Sequence, residues 1–317
     1  MSQLEFKKLY NEFTIRFQNK EYKEALELTY DLLDIAQDIE LEVAYTLMAK
    51  ARVLTALNRL KEATDTYDEV IEKFDNTTDV LILNLLAYAY YNKALIYAKE
   101  KEYKKELATY DKLLEKFIED TSLELEIVLV KTYLNKAICL KELKDTNEVI
   151  LVYKEMIGNF EHSTNEEVLS DVAIALFNIG LLYSKEEKNK DAIKVYNELI
   201  NKFKTTKNKN TLELVVKAMV NKAARYKELL KYKEALKVYD EVIKKYEKNK
   251  EEKILIQVAL SLHNKAILLG EMANEEQLQE VCDEIIEKFS NSKDEIISNI
   301  VLTAQVIKDK EKFNNSF

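Results

Sequence analysis

Five asparagines, Asn92, Asn135, Asn178, Asn221 and Asn264, stand 43 residues apart along the chain. A carboxamide both donates and accepts hydrogen bonds, so such a row can pair with an extended peptide backbone or tie one helix to the next. Lys93, Lys136, Lys222 and Lys265 follow four of them, with Lys50 in the same register upstream and Ile179 interrupting the series. These ammonium groups can recruit acidic groups or close internal ion pairs. One place before the asparagines run Tyr91, Leu134, Phe177 and Val220, flanked in register by Met48 and His263. Four residues on come Arg52, Leu95, Ile138, Leu181, Ala224 and Ile267, which widen an apolar face. That face can receive a helix or an apolar peptide, or it can pack successive repeats together.

Other chemistry has little to build on. His162 and His263 are the only histidines and neither lies in an HExxH pattern; Cys139 and Cys282 are isolated, outside any CxxC or Cys/His cluster. Gly158, Gly180 and Gly270 are too scattered to form a phosphate-cradling loop. The expected inventory is therefore no catalytic residue, no metal ligand set and no cofactor, and the chain does not read as an enzyme.

Charge points the same way. Lysine and arginine number 48 against 57 aspartates and glutamates, a formal net charge of −9. That balance gives no general affinity for nucleic acid, but residues 185–253 reverse it with 20 basic and 12 acidic side chains. A nucleic-acid interface is therefore an unlikely reading, confined to that stretch. The start MSQLEFKK has no secretory hydrophobic run, and apolar stretches such as 80–86 are too short to span a membrane. With two lone cysteines, a cytoplasmic location is expected.

The residues above need helices to hold them in rows. Proline is absent, and alanine, leucine, glutamate and lysine recur with helical spacing. The pattern predicts helix pairs near 4–37, 41–74, 79–118, 122–160, 165–204, 208–247 and 251–290, then a cap near 294–311, all within one domain, 1–317. Asp79, Thr121 and Asn165 are helix-start signals. The 43-residue interval also relates Tyr67, Tyr110, Tyr153, Tyr196 and Tyr239, followed by Cys282, which read as core wedges. Small residues recur at Ala51, Ala94, Ala137, Gly180, Ala223 and Ala266, where helices must approach closely.

This ensemble resembles the tetratricopeptide repeat family over nearly the whole chain. YNKALIYAKEKEYKKELATYDKLLEKF carries the paired-helix signature, with Tyr90, Ala94, Tyr97, Tyr103, Tyr110 and Leu113 at packing positions. Ala25, Ala63, Ala192 and Ala235 supply the family's small residue in the second helix, whereas Glu106, Val149 and Leu278 depart from it. The interval exceeds the familiar 34 residues. The resemblance implies an all-α, right-handed solenoid of seven helix pairs plus a C-terminal capping helix. It also implies a concave surface built by the first helices and a protein or peptide partner bound there. Self-association into an assembly is the alternative.

Overall fold

The computed structural model describes residues 3–36, 39–119 and 123–314; Thr121 lies outside them. All of its regular elements are helices. They are α1 (Gln3–Gln18), α2 (Tyr22–Ala36), α3 (Glu40–Ala56), α4 (Leu60–Phe74), α5 (Val80–Lys99), α6 (Tyr103–Phe117), α7 (Leu123–Glu142) and α8 (Thr146–Phe160) in a first compact unit. A second unit holds α9 (Glu166–Lys185), α10 (Asn189–Phe203), α11 (Lys209–Glu228), α12 (Tyr232–Tyr246), α13 (Glu252–Glu271), α14 (Glu275–Phe289) and α15 (Glu295–Asn314). From α5 onward the odd-numbered helices begin at a constant step of 43 residues, as do the even-numbered ones from α4. The chain is an all-α solenoid of seven helix hairpins and a capping helix, the last running slightly beyond the span read from the sequence.

Capping chemistry explains where three of the first helices open. Asp79, Asn165 and Asn208 have extended backbone and accept hydrogen bonds from the first free N–H groups of α5, α9 and α11. Within a hairpin the connection is far tighter. The residue after the C-cap turns left-handed and the next one closes back on the helix, as in Glu102 N–H to Tyr97 O at 2.9 Å and Lys231 N–H to Tyr226 O at 2.9 Å. That second residue is at once the N-cap of the following helix, so a hairpin spends almost no chain on its turn.

Glycine usually takes the left-handed place, yet here it is Lys20, Asn58, Lys101, Lys144, Glu187, Leu230 and Ala273, with φ between 53° and 65°. A Cβ in that conformation costs about 1–2 kcal/mol. Leu230 is 74% exposed and so has little packing to lose. Leu230→Gly is expected to raise stability by about 1 kcal/mol, because relief of that strain outweighs the added freedom of the unfolded chain. A rise in thermal or urea midpoint checks this, and an unchanged or lower midpoint refutes it.

Packing follows the sequence register. In each unit a first helix packs against its own second helix, the preceding second helix and the neighbouring first helices. Tyr67, Tyr110, Tyr196 and Tyr239 are fully buried wedges, Tyr153 and Cys282 are buried in the same register, and Ala51, Ala94, Ala137, Ala223 and Ala266 provide the close approaches. In α9 the approach is closer still: a Cβ on Gly180 would stand 2.3 Å from Tyr196 Cε1. By length and composition α9 alone among the described helices could cross a membrane, but seven of its residues, including Val172, Ala175 and Leu176, are buried in the second unit's core. Its apolarity is that of a core helix.

The ends of the array differ from its middle. Gln305 of α15 occupies the register of the buried Leu47, Tyr90, Tyr133, Leu176, Met219 and Leu262, and Asp309 that of the small residues. Both are exposed, while Ile297, Ile300, Val301 and Ala304 close the core on the other side. Leu302 and Val306 are 58% and 47% exposed beside them, so the free face of α15 mixes polar and apolar side chains.

Candidate functional site

Each first helix has one side turned away from the second helices. In α5 this side carries Tyr88, Tyr91 and Leu95, and in α7 it carries Leu134 and Ile138, with Asn92 and Asn135 at its border. Leu95 and Ile138 are 38% and 56% exposed, and Leu181 and Ile267 of the second unit are 42% and 40% exposed in the same register. Tyr91, Leu134 and Phe177 are half-buried behind them and Val220 is buried. The face therefore offers large aliphatic and aromatic surface that the hairpins do not cover.

The asparagines lie beside a buried hydroxyl row. Asn92, Asn221 and Asn264 neighbour Tyr67, Tyr196 and Tyr239, residues that lie 25 positions earlier on the preceding second helix. Burial pushes Tyr67 and Tyr239 up to about 12, and neighbouring polar and cationic groups, the asparagines among them, offset part of that rise. Asn135 Nδ2 donates to Tyr91 Oη at 2.9 Å, binding α7 to α5 on the open face. Tyr110 Oη lies near Asn135 but has no hydrogen-bond partner of ordinary geometry, a buried polar atom left to its surroundings. Asn178 is half-buried in α9.

The lysines are similarly engaged. Lys93 pairs with Asp68, Lys136 with Asp111 at 2.7 Å, and Lys265 with Asp240 at 2.6 Å, each across 25 residues to the preceding second helix. Lys308 repeats the pairing with Asp283, so α15 keeps the first-helix register. Lys222 has Asn197 where its counterparts have aspartate; its ammonium lies over the Tyr226 ring, and burial lowers its pKa against the pull of Glu241. The 25-residue offset between Asp and Lys was present in the sequence as a signal, but only the fold pairs its members. In the basic stretch, Lys188, Lys202, Lys209, Lys217 and Lys227 each meet a carboxylate, which breaks up a continuous cationic path.

Among the described residues no group of three His, Cys, Asp or Glu could hold a metal ion. Cys139 is buried and its thiol donates to Tyr103 O at 3.6 Å; desolvation and the nearby Glu106 push its pKa up to about 12, which keeps it a thiol. His263 is half-buried on the open side of α13, with its pKa lowered by burial.

The comparisons with known proteins agree with this architecture. Residues 174–206, which contain the end of α9, the left-handed turn and α10, match the tetratricopeptide repeat family. The fold is tetratricopeptide-like. Residues 9–96 and 215–266 also match a family described as anaphase-promoting complex subunit 5. No curated protein matches the chain in sequence. Among solved structures, apo RapI superimposes with a TM-score of 0.56 at 14% identity, over 98% of this chain and 88% of RapI. Naa15/Naa10 bound to HypK-THB gives 0.49 at 14% identity over 95% and 39%, and BtubC from P. vanneervenii gives 0.49 at 16% over 70% and 87%. The likeness to RapI is one of fold alone.

Proposed function

We propose that the chain is a noncatalytic adaptor that holds a protein or peptide partner on the open side of its first helices. The observation that carries this reading is the exposure of large apolar side chains at one repeated register, Leu95 and Ile138 in the first unit and Leu181 and Ile267 in the second. Scattered apolar residues are ordinary on a protein surface, but repetition at one helical position is the pattern of a binding surface. Tyr91, Leu134, Phe177 and Val220 back that register, while the Asn and Lys rows, engaged with Tyr and Asp, fix its geometry and border it. The unit of the scaffold is read as a 43-residue hairpin, supported by the constant helix starts. A cytoplasmic setting fits the two buried cysteines, neither of which forms a disulfide.

The test is selection of peptides from a displayed library on the intact protein, followed by affinity measurement on Leu95→Asp/Ile138→Asp and Leu181→Asp/Ile267→Asp variants. At least one variant should lose about tenfold or more in affinity with its helicity and melting midpoint retained, since loss of a hot spot costs about 2 kcal/mol or more, roughly thirtyfold. Selected peptides that bind both stable variants as tightly as the parent would defeat the assignment.

A further inference from the structure

The first unit is an acidic body with one surface from which acid is excluded. Residues 1–160 contain 30 aspartates and glutamates against 22 lysines and arginines. Along the open side of α1, α3, α5 and α7, three successive registers contain no carboxylate at all. The first register is Lys7, Tyr45, Tyr88 and Lys131, and the second is Tyr10, Met48, Tyr91 and Leu134. The third is Thr14, Arg52, Leu95 and Ile138. The first of these rows was not singled out in the sequence, because its mixture of tyrosine and lysine has no common chemistry until the helices align it.

The rows form one surface. The Tyr10 and Tyr45 rings meet edge-on with centroids 6.1 Å apart, joining α1 to α3, and the Asn135 to Tyr91 hydrogen bond joins α7 to α5. Phe6, Lys7, Tyr10, Asn11 and Tyr45 line a shallow notch at the α1 end. Neither Lys7 nor Arg52 is paired with a carboxylate; the Arg52 guanidinium lies 5.2 Å from the Phe17 ring centroid instead. The contrast with the adjacent Lys93 and Lys136, both neutralised by aspartate, is direct. Cations left unneutralised on an aromatic and aliphatic surface complement a ligand that brings the negative charge itself.

We propose that this face of the first unit docks an acidic amphipathic segment of a partner protein, its apolar side on Tyr45, Tyr88, Leu95 and Ile138 and its carboxylates toward Lys7 and Arg52. The proposal rests on the adaptor reading above and adds the chemistry of the partner. Met48, Leu134, Leu95 and Ile138 make up half of the second and third rows, and that aliphatic surface suits a protein segment better than the stacked bases of a single-stranded nucleic acid.

The experiment titrates the full chain with three probes: a leucine–glutamate amphipathic peptide, a leucine–lysine peptide of identical apolar pattern, and oligouridylate. The glutamate peptide should bind about tenfold or more tighter than the lysine peptide, with a preference that weakens as salt rises. Lys7→Glu/Arg52→Glu, with its melting midpoint checked, should reverse the order of the two peptides. Equal or tighter binding of the lysine peptide to the parent, or an unreversed order in the folded variant, overturns the acidic-partner inference and leaves the adaptor reading standing. Tighter binding of oligouridylate than of the glutamate peptide also overturns it, in favour of nucleic acid. If neither peptide binds, the inference fails, and library-selected peptides that lose affinity on Leu95→Asp/Ile138→Asp would still uphold the adaptor reading.

Discussion

Glu106→Val is expected to stabilise the protein at pH 8 by about 1–3 kcal/mol, the usual cost of a poorly compensated buried polar group, and the gain diminishes as the pH falls toward the ordinary carboxylate value. Glu106 lies in α6 at the register of Ala63, Val149, Ala192, Ala235 and Leu278, and it is only 3% exposed. Desolvation raises its pKa above the ordinary 4.5, opposed in part by the neighbouring Cys139 and Tyr110 side chains. The sign follows from proton binding. As the pH rises past the unfolded value, the unfolded chain releases this proton while the native state still holds it, so native stability falls. The loss levels off once the native carboxyl has ionised as well. Valine removes the group from both states, and the neighbouring repeat already accommodates it at Val149. Urea unfolding of parent and variant across this range isolates the effect, since other titrating groups cancel in the difference. A difference that does not change with pH would show that Glu106 ionises as freely folded as unfolded.

Gly180→Val is expected to cost about 3 kcal/mol, at the upper end for overpacking a core. The new Cβ would meet Tyr196 Cε1 at 2.3 Å and two further ring atoms at 2.8 Å. That ring has little room to retreat: it is fully buried, its hydroxyl lies 3.2 Å from Ser184 Oγ, and the Phe177 ring stands 6.2 Å away. Ala94 and Ala223 hold the same register, each sixteen residues before a buried tyrosine, Tyr110 and Tyr239, so the repeat tolerates a methyl group at this position elsewhere in the chain. Gly180→Ala should therefore cost less, its strain offset by the roughly 1 kcal/mol that alanine gains over glycine within a helix. A thermal unfolding series of glycine, alanine and valine at this position checks the order. Valine as stable as glycine would mean that the α9–α10 approach can open freely.

Much of this architecture could be read from residues because each helical position makes the same demand in every repeat. A small residue every 43 positions, a tyrosine wedge and an asparagine row leave little freedom in which sides of the helices are buried. Asp79 and Asn165 cap where their side chains said they would. What stayed hidden was the choice of partner. Asn92 can serve a ligand or a neighbour equally well in sequence, and only packing brings it to Tyr67, because that pairing is a property of two helices from different hairpins. Glu106 was legible as a departure, but its burial depends on Cys139 and Tyr110 closing over it. The Tyr45, Tyr88 and Lys131 row was invisible for a different reason: its members share a location and no side-chain type.

The polar replacements on α15 bear on how such a chain changes length over evolution. Its first-helix geometry is intact, down to the Lys308–Asp283 pair, so the backbone itself provides no terminus. What sets α15 apart is side chains such as Gln305 and Asp309, polar where the other first helices bury apolar or small residues. An array of this kind can therefore gain or lose a hairpin by duplication or deletion while the register of every retained repeat is undisturbed, the change falling on the few side chains at the new junction.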